Sequence, residues 1–171
     1  MSDSITIREA RPEDAAKIIV YVQSLSDEPD IDLPMAPGEF NPSIEDEQRW
    51  IQSHADADNS ILLVAEAGGQ IVAVMNVTGG YRKSLRHATQ LGISIHKDYR
   101  DQGLGTRMMS RAVEWANGTG IVTRIGLEVY ARNARAIHLY EKFGFEVEGR
   151  QRRAFYQNGQ YIDSLVMALL L

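Results

Sequence analysis

The stretch "HKDYRDQGLGTRMM", residues 96–109, joins two segments of different periodicity. Upstream, "ATQLGISI" (88–95) alternates, with Leu91, Ile93 and Ile95 on one face, as a half-buried strand does. Downstream, Leu104, Met108, Ala112 and Trp115 recur at spacings of four, four and three, the stripe of an amphipathic helix. The chain therefore turns from strand to helix through Gly103-Leu104-Gly105, with Arg100 just before the turn. Glycine lets a backbone approach a ligand closely, and the first-turn amides of a helix lack internal partners. With the positive end of the helix dipole, such a turn makes a pyrophosphate site. An ordinary strand–helix turn explains the two glycines equally well, so the rest of the chain has to decide.

Two familiar phosphate loops are excluded. The lysine and spacing of "GxxxxGK[ST]" are missing, and so are the third glycine and the acidic ribose ligand of the dinucleotide fold. The length of 171 residues and an apolar fraction of 44% suit one domain, residues 1–171, with its own core. There is no cysteine, hence no disulfide, thiolate metal site or cysteine nucleophile, and the four histidines have no metal-ligand spacing, so no metal is expected. His54, His96 and His138 read as structural or exposed. A net charge of −5 argues against a nucleic-acid partner. "MSDSITIREA" lacks the pattern of a signal peptide and no apolar run is long enough for a bilayer, so a cytoplasmic protein without a membrane partner is expected.

The remaining elements follow from local signals. "SITIREAR" reads as a strand, and Pro12 opens a helix whose apolar face is Ala15, Ile18, Ile19, Val22 and Leu25. "SDEPDIDLPMAPGEFNP", with four prolines, is a long loop, of the kind that commonly carries function. Ser43 is an N-cap for a second helix with Ile44, Trp50, Ile51 and His54 on its apolar stripe. Gly68-Gly69 and Asn158-Gly159 mark hairpins, "RIGLEVY" is a strand, and "NARAIHLYEKFGF" begins as a helix that Gly144 ends. Interspersed strands and helices with a hairpin at each end of the strand set predict a mixed α/β sheet rather than a purely parallel one. Residues 26–47 are acid-rich, while 81–111 and 150–153 are basic-rich. That suits a cationic substrate beside an anionic cofactor, or an ordinary solvated surface.

The strand–loop–helix with "RDQGLG" resembles the acyl-CoA motif of the GNAT (GCN5-related) N-acetyltransferase superfamily. "LEVYARNARAIHLYEKFGFEVEGR" resembles that superfamily's second block, in the right order. With the tail "GFEVEGRQRRAFYQNGQYIDSLVMAL", the chain is closest in pattern to the branch of bacterial L-amino-acid N-acetyltransferases. The resemblance covers nearly the whole chain. It implies the GNAT fold: a mixed, mostly antiparallel sheet of about six to seven strands, splayed at the acyl-CoA site and flanked by about four helices.

Carried over residue by residue, the resemblance implies acetyl-CoA as donor. Ile93, Ser94 and Ile95 pair with the pantetheine arm. Arg100, Asp101, Gln102, Gly103, Leu104, Gly105 and Thr106 surround the pyrophosphate, chiefly through their amides, and Asn133 touches the cofactor. Asp101 departs from the family's pattern, and its charge suits a phosphate site only if the side chain turns outward. Asn133 also reads as a helix N-cap. Tyr140 matches the tyrosine that protonates the departing thiolate, although its spacing with Ala136, Ile137 and Phe143 equally fits a core position. Glu128 occupies the position of a general base in a ribosomal-protein-acetylating branch, and otherwise orients substrate or pairs structurally. His87 matches a residue lining the acceptor site, or is a strand-end histidine. Glu28, with Asp30 and Asp32, draws an ammonium group, unless the acidic loop is merely solvated.

The activity implied is direct acetyl transfer to a primary amine in a ternary complex, on a free amino acid or other small amine. A protein N-terminus is the alternative acceptor, and a non-catalytic CoA-binding sensor the alternative class. The resemblance also implies a homodimer.

Overall fold

A computed structural model describes residues 4–29 and 31–171. Seven strands form one sheet: β1 (Thr6–Glu9), β2 (Ile61–Ala67), β3 (Gln70–Gly79), β4 (Ala88–Ile95), β5 (Arg124–Tyr130), β6 (Glu146–Gln157) and β7 (Gln160–Leu170), in the order β1-β2-β3-β4-β5-β7-β6. Every neighbouring pair is antiparallel except β4 with β5. Four α-helices, α1 (Ala15–Ser26), α2 (Ile44–Asp56), α3 (Leu104–Thr119) and α4 (Ala134–Lys142), cover it. The mixed, mostly antiparallel sheet matches the expectation.

The two faces of the sheet carry separate apolar clusters. Alternate residues of β2 divide between them, as the period of a strand requires. Leu63 and Ala65 join Met75, Leu127, Met108 and Tyr140 beneath α3 and α4, while Leu62 and Val64 join Ile18, Leu25 and Ile51 beneath α1 and α2. Of the α3 stripe, Leu104, Met108 and Ala112 are buried as the spacing predicts, while Trp115 is half-buried and packs against the same cluster. In α2, Ile51 and His54 are buried but Ile44 and Trp50 are largely exposed, so that stripe is narrower than its spacing suggests. His54 is satisfied where it lies, between the Trp50 carbonyl and the Thr78 hydroxyl.

Local chemistry ends the elements where it should. The Ser43 hydroxyl accepts from the Asp46 amide at the start of α2. Gly144, at φ +90°, closes α4, with the Phe145 amide donating back to the Tyr140 carbonyl. Both hairpins turn through two positive-φ residues, Gly68-Gly69 and Asn158-Gly159, the geometry that matches strand twist.

Candidate active site

β4 and β5 pair only over Ala88, Thr89 and Gln90. Beyond Gln90, β4 keeps its partner β3 (Ile93 opposite Met75, Ser94 opposite Val74, Ile95 opposite Ala73), while β5 stays with β7 as far as Tyr130. The two strands therefore diverge, and among the described residues no strand lies against the β5-facing edge of Ile93, Ser94 and Ile95. Such an edge accepts an extended ligand as an added strand.

The splay opens into a cavity of about 610 Å³ between β4, α3 and α4. Gly103, at φ +79°, is the N-cap of α3, a left-handed conformation that favours glycine, and a side chain there would stand in open space. Gly105 is needed for room. A Cβ on it would come within 3.0 Å of Leu139 and 3.4 Å of Ile95, both cavity-lining residues. The first intrahelical bond of α3 is from the Arg107 amide to the Gly103 carbonyl, which leaves the amides before it for a ligand.

Of the residues expected at the cofactor, Ile93, Ser94, Ile95, Arg100, Asp101, Gly103, Gly105, Thr106 and Asn133 line this cavity. Leu104 instead enters the core, and the Gln102 side chain donates to the Asp98 carbonyl. Asp101 turns toward Arg135, 3.4 Å away, so its charge is offset. The Asn133 side chain accepts from the Ala136 amide, capping α4 at the cavity wall.

Arg100 does more than stand at the loop's start. Its Nε donates to the Ile95 carbonyl and its Nη2 to Glu28 Oε2, each at 2.7 Å. One side chain thus ties the end of β4, the glycine loop and the segment after α1. Asp32 is bound in a parallel way to Arg132, at 2.9 Å. Asp30 lies outside the described residues.

Four cavity-lining basic groups were not expected at this site: Arg132, Arg135, His138 and Lys142. Residues 135, 138 and 142 recur on one face of α4, a spacing visible in the sequence. With the α3 amides they line one wall with N–H donors that phosphates can reach, Lys142 without an ion-pair partner among the described residues and Arg132 and Arg135 paired to Asp32 and Asp101.

Tyr140, one turn beyond the cavity-lining Ala136, is 6% exposed, packs on Phe145 and is not among the residues that line the cavity. Burial pushes its phenol up to about 12. Glu128 is exposed on β5, and its carboxylate accepts from the Ser164 hydroxyl on β7. Leu127 and Val129 pack into the cluster beneath α3 and α4, so the alternation of the strand turns Glu128 to the opposite face. His87 is not brought to the site. Its carbonyl receives the Thr123 and Arg124 amides where β4 and β5 begin together, at the opposite end of β4 from the splay.

An open strand edge that leads to free helix-end amides and a basic wall defines a cleft for a long ligand with an amide-bearing arm and phosphates. The family model described as "Acetyltransferase (GNAT) family" matches residues 25–145. The L-amino acid N-acetyltransferase AaaT of Escherichia coli K12 is 31% identical over 119 residues, 70% of this chain and 74% of that protein. A GNAT-family acetyltransferase from Streptococcus pneumoniae has a crystal structure of TM-score 0.93 at 36% identity, covering 98% of this chain and 99% of that one. The fold is also that of yncA, a putative acetyltransferase from Salmonella typhimurium solved with acetyl-CoA (TM-score 0.81, 21% identity, 99% of this chain, 95% of that one). The chain belongs to the GNAT acetyltransferase family. Among the described residues, no helix is long and apolar enough to cross a membrane.

Proposed function

We propose that this protein transfers the acetyl group of acetyl-CoA directly to the primary amine of a free amino acid or other small amine, both substrates being bound at once. The observation that carries the reading is the convergence on one cavity of the open β4 edge, the free amides of α3 and the basic face of α4. The edge pairs with the pantetheine amides and the amides and cations hold the phosphates, which delivers the thioester to the splay between β4 and β5.

In the reaction the amine nitrogen attacks the thioester carbonyl carbon, the C–S bond breaks, and CoA leaves as thiolate. The nitrogen surrenders one proton to water at Glu128 and the departed thiolate takes one from solvent, so the step is balanced without any further reactant. Tyr140 serves the sulfur. A phenol pushed up to about 12 stays protonated at neutral pH, and so acts as a hydrogen-bond donor to the thiolate throughout the step. Full transfer from it to a thiol of ordinary pKa, about 8.5, runs uphill. Glu128 takes the amine proton through water from the solvent-facing side of β5. A small acceptor is favoured over a protein N-terminus because the segment after α1 is tied down through Glu28 to Arg100 and through Asp32 to Arg132, which narrows the approach. AaaT, whose name specifies L-amino acids, supports the same choice.

The test follows free thiol from acetyl-CoA with a panel of amines. Amine-dependent release is expected, and Tyr140→Phe should lower kcat by at least about tenfold with CoA affinity unchanged. CoA binding without release by any amine would leave a sensor instead, and an unaltered kcat in Tyr140→Phe would remove that residue's role.

A further inference from the structure

A second cavity, of about 480 Å³, lies beyond the wall made by residues 31–33, since Ile31 and Leu33 line both spaces. Its other sides come from the segment after α1, the end of β5 and the β6–β7 hairpin. Four buried side-chain polar atoms among the described residues have no hydrogen-bond partner, and three belong to residues of this cavity: Glu28 Oε1, Tyr130 Oη and Gln157 Oε1. Buried polar atoms are paired in native proteins as a rule, so three orphans around one space point to a ligand that completes them.

The chemistry of that ligand follows from the atoms. Gln157 Nε2 already donates to the Ile31 and Leu33 carbonyls, which leaves its Oε1 as an acceptor. Glu28 Oε2 is held by Arg100, and Oε1 is the free acceptor. The Tyr130 hydroxyl is a third, on a ring whose centroid lies 4.7 Å from that of Phe155 and 5.7 Å from the Arg132 guanidinium carbon. An ammonium has three donors and no acceptor. Asp27, Glu28 and Glu39 line the cavity, and among the described residues no lysine, arginine or histidine does. With Glu28 already paired to Arg100, the excess negative charge is that of Asp27 and Glu39, which favours a cation over a carboxylate.

The reacting amine itself does not belong there. Acidic surroundings hold an amine in its protonated form, which is not nucleophilic, and the thioester lies on the other side of the Ile31–Leu33 wall. We infer that this cavity seats the distal end of the acceptor, that this end is a cationic nitrogen held by Glu28, Tyr130 and Gln157, and that the acceptor class is a primary amine carrying a second ammonium. The inference rests on the transfer reaction proposed above and narrows it.

Two matched series test it: n-butylamine, 1,4-diaminobutane and 4-aminobutanoate, and L-norleucine, L-lysine and L-2-aminoadipate. Thiol release gives kcat and KM for each, and calorimetry with CoA present gives binding. In the series that is turned over, the distal cation should raise kcat/KM about tenfold over the apolar member, and the distal carboxylate should lower it by a similar factor. Tyr130→Phe keeps the ring and removes one acceptor. It should raise KM for the dicationic amine about fivefold with kcat and the KM for acetyl-CoA unmoved, and Glu28→Gln should erase the cation preference. A tyrosine that only packs would leave KM unchanged in Tyr130→Phe. Turnover without preference for the second cation, or a preference that survives both variants, overturns the cavity assignment and leaves the transferase reading standing. Binding of the dicationic amine with no acetylation overturns the transferase reading while upholding the cavity. Neither binding nor preference overturns the cavity assignment outright.

Discussion

Replacing Arg100 with methionine removes a guanidinium that joins the donor loop to the acceptor segment. It donates at 2.7 Å both to the Ile95 carbonyl and to Glu28, and the side chains of the ion pair are 21% and 9% exposed. Attraction across 2.7 Å at an effective dielectric constant of about 20 is roughly 6 kcal/mol before desolvation. Desolvating two ions takes back several kcal/mol, which leaves a net of about 2–3 kcal/mol. Losing the arginine alone is worse than losing the pair. Glu28 Oε1 already lacks a partner among the described residues, and the variant strands the second oxygen as well. The expected loss for Arg100→Met is about 3 kcal/mol, a fall in Tm of roughly 6–12 °C for a chain of this length.

The sign of a second substitution tests the cause. Glu28→Gln alone keeps an oxygen for Arg100 to donate to and should lose only about 1 kcal/mol. Combined with Arg100→Met it removes the stranded charge, so the double variant should regain at least about 1 kcal/mol over Arg100→Met. Scanning calorimetry on the four proteins reads this directly. A double variant no more stable than Arg100→Met would mean that the two side chains are not energetically coupled, and the reasoning would fail.

Three further outcomes follow from the same structure. Gly103→Ala forces a side chain into the left-handed region and should lower stability by about 1–2 kcal/mol. Gly105→Ala should be close to neutral in Tm but weaken CoA about fivefold, because its Cβ meets Leu139 and Ile95 at the cavity floor; calorimetry on both variants, with and without CoA, would expose a reversed pattern. Asp14 accepts from both Arg8 nitrogens and from the Arg11 amide, and the Arg8 bond holds its carboxyl below the usual range. Its stabilisation is present above the ordinary aspartate pKa and lost as pH falls through the lowered one, so Asp14→Asn should cost about 1 kcal/mol at pH 7, after allowing for solvent at Arg8, and nothing at the most acid pH where the fold survives. Glu47 has the opposite sign. It is 5% exposed with Oε1 unpaired among the described residues, burial raises its carboxyl, and stability is lost as pH rises through that raised value, so Glu47→Gln should gain about 1 kcal/mol at pH 8 and little at pH 4 in Tm–pH scans.

What could be read from residue order alone was what local chemistry decides. The strand-to-helix turn at Gly103, the Ser43 and Asn133 caps, and the two hairpin turns all depend on residues within a few positions of one another. The parts that stayed hidden join distant positions. Glu28 meets Arg100 across 72 residues, Asp32 meets Arg132 across 100, and Gln157 meets Ile31 across 126. No propensity signals such a meeting, because it depends on which strands lie side by side. The same reason separates His87 from the site: it precedes β4, whereas the splay opens only beyond Gln90, so its place depends on where pairing ends rather than on its neighbours. The basic face of α4 was different. Its spacing lies within one helix, but charged residues on the polar side of an amphipathic helix ordinarily only meet solvent, so the spacing alone does not mark a site.

The two halves of the cleft are built from different materials, and this decides what each can specify. The donor side is mostly backbone: an unpaired strand edge, helix-end amides, and two glycines that supply a φ and a clearance. Backbone recognition is indifferent to most side chains, so the donor side tolerates substitution at most of its positions. The acceptor side proposed above is mostly side chain, with a carboxylate, a phenol and an amide drawn from α1's exit, β5 and β6 and held apart from the donor cavity by two aliphatic residues. Exchanging those three groups alters charge and hydrogen bonding where the acceptor rests without moving a strand. Arg100 is the exception that spans both halves. It binds the last carbonyl of β4 with one nitrogen and the acceptor carboxylate with another, so a change made at Glu28 to retune the acceptor is felt by the loop that holds the donor. Acceptor choice is therefore freest at Tyr130 and Gln157, and most constrained at Glu28.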